Sequence, residues 1–306
     1  MLEIDGDTEG QRIDNYLLSK LKGAPKSLIY RILRRGEVRV NKGRIKPSYR
    51  LQAGDLVRIP PLRLGEEKKV SPNEKFLSII SENILYEDKR LLIINKPSGL
   101  AVHGGSGLSF GLIEALRALR PDAPFLELAH RLDRETSGCL LIAKKRSALR
   151  AVHELLRHNQ VDKRYLALLK GEWTGGERNI EAPLRKNTLK SGERIVRVAS
   201  DGKPALSRFI PLVVRAEASL MEVKLETGRT HQIRVHAAFA GHPIAGDEKY
   251  GDAEFNTTMK QYGLRRLFLH ARGLRFVMPD DGQRVNVQAP LTDELKTVLG
   301  NLDMRF

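Results

Sequence analysis

The chain has 306 residues, enough for one large domain and a small one. With 41% hydrophobic and 29% charged residues it has a globular composition, which excludes a disordered chain. The single cysteine, Cys139, excludes an intramolecular disulfide and a multi-cysteine zinc site. Lys and Arg number 53 against 37 Asp and Glu, and the net charge of +16 favours a polyanionic partner such as nucleic acid.

The opening "MLEIDGDTEG" is acidic and lacks an apolar h-region, and no apolar run approaches the length of a membrane span. The expectation is a soluble, cytoplasmic protein that does not engage a membrane. Ile13, Leu17 and Leu21 recur at i, i+4 and i+8 and mark one face of a helix. A second helix is predicted to start at Ser27, a capping residue type, and to stop at Gly36. Leu28, Ile29, Ile32 and Leu33 share one of its faces, and Arg31, Arg34 and Arg35 share the opposite one. "EVRVNKGRI" and "GDLVRIP" alternate like short strands joined by a basic loop. From Arg31 to Arg50 the basic residues are Arg31, Arg34, Arg35, Arg39, Lys42, Arg44, Lys46 and Arg50, with Glu37 the only acid. A face that is merely solvated usually mixes signs, so this one-sided charge suits phosphates. The stretch "RIDNYLLSKL…SLIYRILRRGEVRVNKGRIKPSYRLQAGDLVRI" resembles the S4 RNA-binding domain, a small α/β module of αL type. The resemblance implies RNA-backbone contacts along the second helix and the following loop, from Arg31, Arg34, Arg35, Lys42 and Arg44. This module is assigned residues 1–65.

Residues 66–83 contain Pro and dense charge without a sustained period, and are assigned to a linker ending in a short helical or irregular piece. Residues 84–306 are assigned to a second domain. "RLLIINKP" is a short apolar run closed by Lys-Pro. Leu112, Ile113, Leu116 and Leu119 make one helical face, and Leu149, Val152, Leu155 and Leu156 make another. Met221, Val223 and Leu225 alternate with Glu222, Lys224 and Glu226, and Val285 and Val287 with Arg284, Asn286 and Gln288. That period of two means sheet with one wet face, so the expected class is α+β with a mixed, largely antiparallel sheet.

Several chemistries are excluded. "HGGSGLSFG" at 103–111 lacks the Gly-Lys-Ser/Thr ending of a phosphate-binding loop, and no G-x-S-x-G elbow accompanies it. Its glycines read as a tight turn or a close approach to substrate. The eight histidines form no H-E-x-x-H and no Cys/His cluster, so no metal is expected. His231 and His236 stand five apart, awkward for one helix face, and read as polar anchors between helix and sheet. No dinucleotide fingerprint occurs, and no cofactor is expected.

The charge-dense motifs are what remain: "HRLDRETSG" (130–138), "KRYLALLKG" (163–171), "TGRTHQIRVHA" (227–237), "GHPIAGDEKYG" (241–251) and "RLFLHA" (266–271). An Asp in a turn is ordinarily a cap. In this order, however, H-R-L-D-x-x-T-S-G, K-x-Y-x-A and G-R-T-H-Q-I-R-V-H together resemble the RluA-type pseudouridine synthases, and the resemblance runs nearly end to end. It implies an isomerase that breaks the glycosidic bond of a uridine in 23S ribosomal RNA, turns the base and rejoins it through carbon. Asp133 is then the nucleophile, at sugar or base, both of which stay open. Arg234 is the arginine paired with it, and Tyr165 the aromatic that stacks on the base and takes part in proton removal. Ile233 and Leu269 are the apolar lining, and Arg131 fills the gap left by the lifted base or contacts phosphate. A transfer RNA substrate and a non-catalytic RNA-binding factor are the competing readings, and a monomer is the default.

Overall fold

The computed structural model describes residues 1–6, 8–21, 24–62, 73–104, 110–188 and 194–306. The chain divides into two units, Met1–Val70 and Ser71–Phe306.

In the first unit, Ile13 and Leu17 are buried on α1 (Ile13–Lys20), as are Ile29, Ile32 and Leu33 on α2 (Lys26–Arg35). Strands β1 (Leu2–Glu3), β2 (Arg39–Val40), β3 (Gly43–Arg44) and β4 (Leu56–Arg58) form an antiparallel sheet in the order β1-β4-β2-β3. Ile4, Val38, Val40 and Val57 complete its core with the helix residues. The helix α2 opens two residues earlier than the Ser27 cap predicts. Pro25 is the N-cap at φ −59°, and its carbonyl accepts the amides of Leu28 and Ile29. Proline's ring fixes φ near that value, so the boundary falls there and Ser27 lies inside the first turn. Gly36 closes the helix in the left-handed region at φ 69°. Arg31, Arg34 and Arg35 are exposed on α2, and Lys42 and Arg44 on the hairpin that follows. Asn41 and Lys42, at φ 50° and 69°, connect β2 to β3, the handedness a tight hairpin requires. Asn41 is tied down by donating to Asp55 Oδ1 at 2.8 Å and accepting from the Leu56 amide at 2.9 Å.

The second unit begins before residue 84. Asn73 caps α3 (Glu74–Glu82) by accepting from the Phe76 amide at 2.8 Å. Ile80 of that helix is fully buried in the main core, with Phe76 and Leu77 packed beside it. The assignment of residues through 83 to a linker is therefore corrected from 74 onward, because Phe76, Leu77 and Ile80 form an apolar face amid charged neighbours. Residues 66–72 of that assignment lie outside the described residues.

The chain continues through β5 (Ile84–Glu87), β6 (Leu91–Lys96), α4 (Leu112–Leu119), β7 (Glu127–Leu128), β8 (Ser137–Ala143) and α5 (Arg146–Arg157). Strands β9 (Asp162–Lys170) and β10 (Arg178–Glu181) follow, then a separate two-stranded ribbon of β11 (Leu184–Thr188) and β12 (Arg194–Val198). The remainder is β13 (Leu206–Val214), β14 (Ala218–Leu225), α6 (Gln232–Phe239), α7 (Ala253–Gln261), β15 (Leu269–Val277), β16 (Arg284–Gln288) and α8 (Asp293–Asn301). The central sheet runs β10-β13-β14-β9-β15-β8-β6-β5, with β16 paired to β15 and β7 to β8. Among the described residues every pairing in this sheet is antiparallel except one: β15 meets β8 in parallel through His270–Ser137 and Ala271–Gly138. Both faces of β9 are covered. Tyr165, Ala167 and Leu169 join the core of Met221, Val223 and Phe209, while Leu168 packs with Leu220, Phe268 and residues of α7 and α8.

Candidate active site

The charged segment before β8 is held from three directions. Gly138, at φ 106°, lies against β15 so closely that a Cβ there would stand 2.3 Å from the Ala271 carbonyl oxygen. The Ser137 hydroxyl contacts His270 Nδ1 at 2.9 Å, and Arg266 Nη2 donates to Ser137 Oγ at 3.0 Å. Because His270 Nε2 faces the Ala289 carbonyl at 3.1 Å and must donate to it, the neutral ring accepts from Ser137 through Nδ1. Lys96, fully buried, supplies the third hold. Its ammonium donates to the carbonyls of Pro97 (2.8 Å), Leu100 (2.8 Å) and Arg134 (2.9 Å), which ties the turn after β6 to the segment carrying Asp133. Burial pulls the Lys96 pKa down to about 7.

These holds place Asp133 in a cavity of about 520 Å³. Leu132, Tyr165, Ile233 and Leu269 are its buried apolar lining, and Arg131, His153, Arg157 and Arg229 its exposed basic lining. The six residues singled out in the large domain (Asp133, Tyr165, Arg234, Arg131, Ile233 and Leu269) all line this one space. Arg31, Arg34, Arg35, Lys42 and Arg44 are surface residues of the N-terminal unit.

Arg234 Nη1 stands 3.6 Å from Asp133 Oδ2. Its stronger partner is one the sequence reading did not name. Nε and Nη2 of Arg234 each donate to Asp247 at 2.7 Å, a bidentate pair in which the carboxylate is completely buried. Asp247 Oδ1 also accepts the amides of Lys249 (2.9 Å) and Tyr250 (3.0 Å). Burial works against the Arg234 charge, but the bonds from Asp247 outweigh it and the pKa lies above its ordinary value. Burial likewise pushes Asp247 up, and the Arg234 hydrogen bonds and charge hold it below the usual carboxylate range. The pair is thus a fixed, fully ionised mount from which one guanidinium edge faces Asp133. Tyr165 sits on β9, and burial, then the charge of Asp133, push its phenol pKa up, so it faces the cavity as a neutral donor. Lys163, two residues before it and on the same side of β9, is a nearly buried cation on the same wall, lowered in pKa by burial.

The reading of the two histidines as anchors holds for one of them. His236 is fully buried between Ser207 Oγ (3.0 Å) and the Ala182 carbonyl (3.0 Å), joining α6 to the sheet. His231 is not an anchor of that kind: it precedes α6 as its N-cap at φ 54°, outside the helical spacing, and its Nε2 stands 3.8 Å from Asp133 Oδ1. Asp247 and Tyr250 were legible only as part of the charge-dense "GHPIAGDEKYG". In the "HGGSGLSFG" segment, Gly104 and Gly111 amides both donate to Glu114 Oε2, at 3.0 and 2.8 Å. A Cβ on Gly111 would fall 2.6 Å from the His103 backbone, so this glycine serves backbone packing; residues 105–109 lie outside the described residues. Among the described residues, no three His, Cys, Asp or Glu side chains gather so as to hold a metal ion, and no helix is long and apolar enough to cross a membrane.

Comparison with known proteins places both units. Residues 90–239 match the family described as RNA pseudouridylate synthase, and residues 11–57 match the S4 domain. The ribosomal large subunit pseudouridine synthase C of Pasteurella multocida is 60% identical over 304 residues, covering 99% of this chain and 93% of the relative. The protein of the same name from Haemophilus influenzae is 59% identical over 304 residues, covering 99% and 94%. Among solved structures, human RNA pseudouridylate synthase domain containing 4 superposes with a TM-score of 0.62 at 28% identity, covering 75% of this chain and 96% of that one.

Proposed function

The chain belongs to the RNA pseudouridylate synthase family, and we propose on that premise that it converts uridines of 23S ribosomal RNA to pseudouridine with Asp133 as nucleophile. The observation that carries this reading is the carboxylate of Asp133 inside a cavity, 3.6 Å from a guanidinium whose charge is already balanced by Asp247. Such an arginine faces the carboxylate without binding it so tightly that it cannot react. The similarity to enzymes named for the large ribosomal subunit, 60% and 59% identical, supports the choice of RNA.

The target nucleotide must leave its stack to reach Asp133. Leu132, Ile233 and Leu269 receive the base, with the Tyr165 ring against it, and exposed Arg131, two residues from the nucleophile, contacts the RNA left behind. The Asp133 oxygen forms a bond to the nucleotide, the glycosidic C–N bond breaks, the base turns, and a C–C bond to C5 replaces it as the carboxylate is released. The C5 proton leaves last. By then the Asp133 carboxylate is free again and takes that proton or passes it to water, beside the phenol of Tyr165, which burial and the Asp133 charge keep neutral. No cofactor enters any step. Arg31, Arg34, Arg35, Lys42 and Arg44 contribute sequence-independent phosphate contacts.

Asp133→Asn abolishes pseudouridine formation while leaving RNA affinity intact; activity in that variant overturns the assignment. Mapping pseudouridines in total RNA from a strain without the gene tests the substrate. Loss of a transfer RNA site with unchanged large-subunit RNA reverses it.

A further inference from the structure

Asp133 has a second neighbour that no comparison assigns a role. His231 Nε2 approaches Oδ1, the oxygen that Arg234 does not face, at 3.8 Å. The other ring nitrogen, Nδ1, lies 2.7 Å from the Tyr250 hydroxyl. That hydroxyl also takes the amide of Val196 on β12 at 2.9 Å.

The donor sequence along this row follows from the one member that cannot accept. A backbone N–H only donates, so the Tyr250 oxygen is its acceptor, and the phenol's single proton is free to point at His231 Nδ1. An Nδ1 that accepts leaves the ring proton on Nε2, toward the carboxylate. The opposite tautomer would turn an imidazole lone pair against the negative oxygen.

We propose that His231 is a positioning residue for Asp133, and that the Tyr250 hydroxyl makes it one by fixing the imidazole proton on Nε2. Arg234 then supplies charge at one carboxylate oxygen, and the imidazole N–H supplies direction at the other. Both gaps exceed hydrogen-bond length in the free protein and close when the substrate fills the cavity. The proposal rests on Asp133 being the reactive carboxylate.

Two further observations support the arrangement. His231 occupies the left-handed region at φ 54°, which a residue with a Cβ rarely adopts unless its surroundings hold it there. The neighbouring Gln232 clamps the loop in that shape. Its Oε1 accepts from Thr227 Oγ1 (2.8 Å) and the Arg229 amide (2.9 Å), and its Nε2 donates to the Leu206 carbonyl (3.0 Å) and Ser207 Oγ (2.9 Å). Tyr250 is equally fixed: its amide bonds Asp247, and the Arg234 guanidinium lies 5.0 Å from its ring centre. Burial pushes the Tyr250 pKa up and the His231 pKa down, so the phenol keeps its proton and the ring stays neutral.

The test uses the full-length protein and Tyr250→Phe, which keeps the ring over Arg234 and removes only the hydroxyl. Two-bond proton–nitrogen NMR of the His231 ring, identified by its loss in His231→Gln, reads the tautomer without any RNA. The wild type is expected to carry the proton on Nε2, and Tyr250→Phe to show a mixture. On a transcript the wild type modifies, Tyr250→Phe should lower the single-turnover rate about tenfold or more with RNA affinity unchanged. His231→Gln, which returns an N–H near the Nε2 position, should recover much of what His231→Leu loses. A wild-type ring protonated on Nδ1 overturns the proposal, as does a Tyr250→Phe rate equal to wild type or a glutamine variant no better than leucine. If Tyr250→Phe fails to fold, the wild-type tautomer alone decides. That readout is independent of the Asp133→Asn experiment, so either reading can fail without the other.

Discussion

Replacing Asp247 by Asn tests whether the Arg234 mount, rather than Arg234 alone, sets up Asp133, the proposed nucleophile. The amide has the shape of the carboxylate, and its oxygen can still accept the Lys249 and Tyr250 amides that now meet Oδ1. Its NH2, however, faces Arg234 Nε, now bonded to Oδ2 at 2.7 Å, so a donor meets a donor. The Arg234 side chain is only 10% exposed and the Asp247 side chain 0%, so the lost charge is not replaced by water. Breaking a buried pair of this kind costs about 3–5 kcal/mol, a large part of the roughly 5–15 kcal/mol that holds a folded protein together. Among the described residues, the orphaned guanidinium has one carboxylate left within reach, Asp133 at 3.6 Å. At an effective dielectric near 20, an ion pair at that range is worth on the order of 4 kcal/mol before desolvation. The arginine therefore closes on Asp133 and stabilises its resting state, so under the proposed mechanism the chemical step slows more than RNA binding weakens. Urea unfolding reads the first effect, and single-turnover pseudouridine formation against RNA affinity reads the second. The double variant Asp133→Asn/Asp247→Asn strips Arg234 of both counter-ions and should be less stable than the sum of the single changes by about 1 kcal/mol or more. An Asp247→Asn protein with an unchanged urea midpoint and rate would refute the reasoning.

Gly138→Ala drives a methyl into the Ala271 carbonyl and forces a positive-φ residue to carry a Cβ, so a loss of about 3 kcal/mol or more is expected in urea unfolding. A stability near wild type contradicts the close approach of β8 to β15. Lys42→Gly relieves a left-handed lysine and should stabilise the N-terminal unit by about 1 kcal/mol. The same change should reduce the salt slope of RNA binding by about 1; a stabilised protein with an unaltered slope removes Lys42 from the RNA surface. Lys96 has a folded pKa of about 7 against 10.5 for a free lysine. Between those values the unfolded chain binds more protons than the folded one, so this group adds stability as pH rises, by about 1.4 kcal/mol per unit at the steepest. Unfolding free energies near pH 7 and about two units above should show that rise in the wild type and lose it in Lys96→Met; equal slopes dismiss it.

The parts of the fold written in local periodicity were legible from the sequence. Leu112–Leu119 and Arg146–Arg157 became helices along their apolar faces, and Met221 to Leu225 a strand. Asp133, Tyr165 and Arg234 were found because they stand in ordered motifs, and they line one cavity. Asp247 and Tyr250 were not singled out, since a buried counter-ion and a surface acid look alike until the partner is placed opposite them. His231 was misread because helical spacing was applied to a residue that sits before the helix, in a left-handed conformation. The helix Glu74–Glu82 was legible only as a short helical or irregular end to a linker, because its apolar face is three residues wide and flanked by charge. The single parallel pairing of β15 with β8 has no signature in the period of either strand; it depends on Gly138 meeting a backbone far along the chain.

That parallel step also sets the order in which a newly made chain gains its abilities. Ser137 and its partner His270 are separated by 133 residues, so on a ribosome making about 5–20 residues per second the Asp133 segment waits roughly ten seconds for the strand that braces it. The core of the N-terminal unit, by contrast, is built from residues between Ile4 and Val57 and can form while most of the chain is still unmade. Capacity for RNA is available early in synthesis and capacity for chemistry only near its end, so a prematurely terminated chain that binds RNA leaves it unmodified.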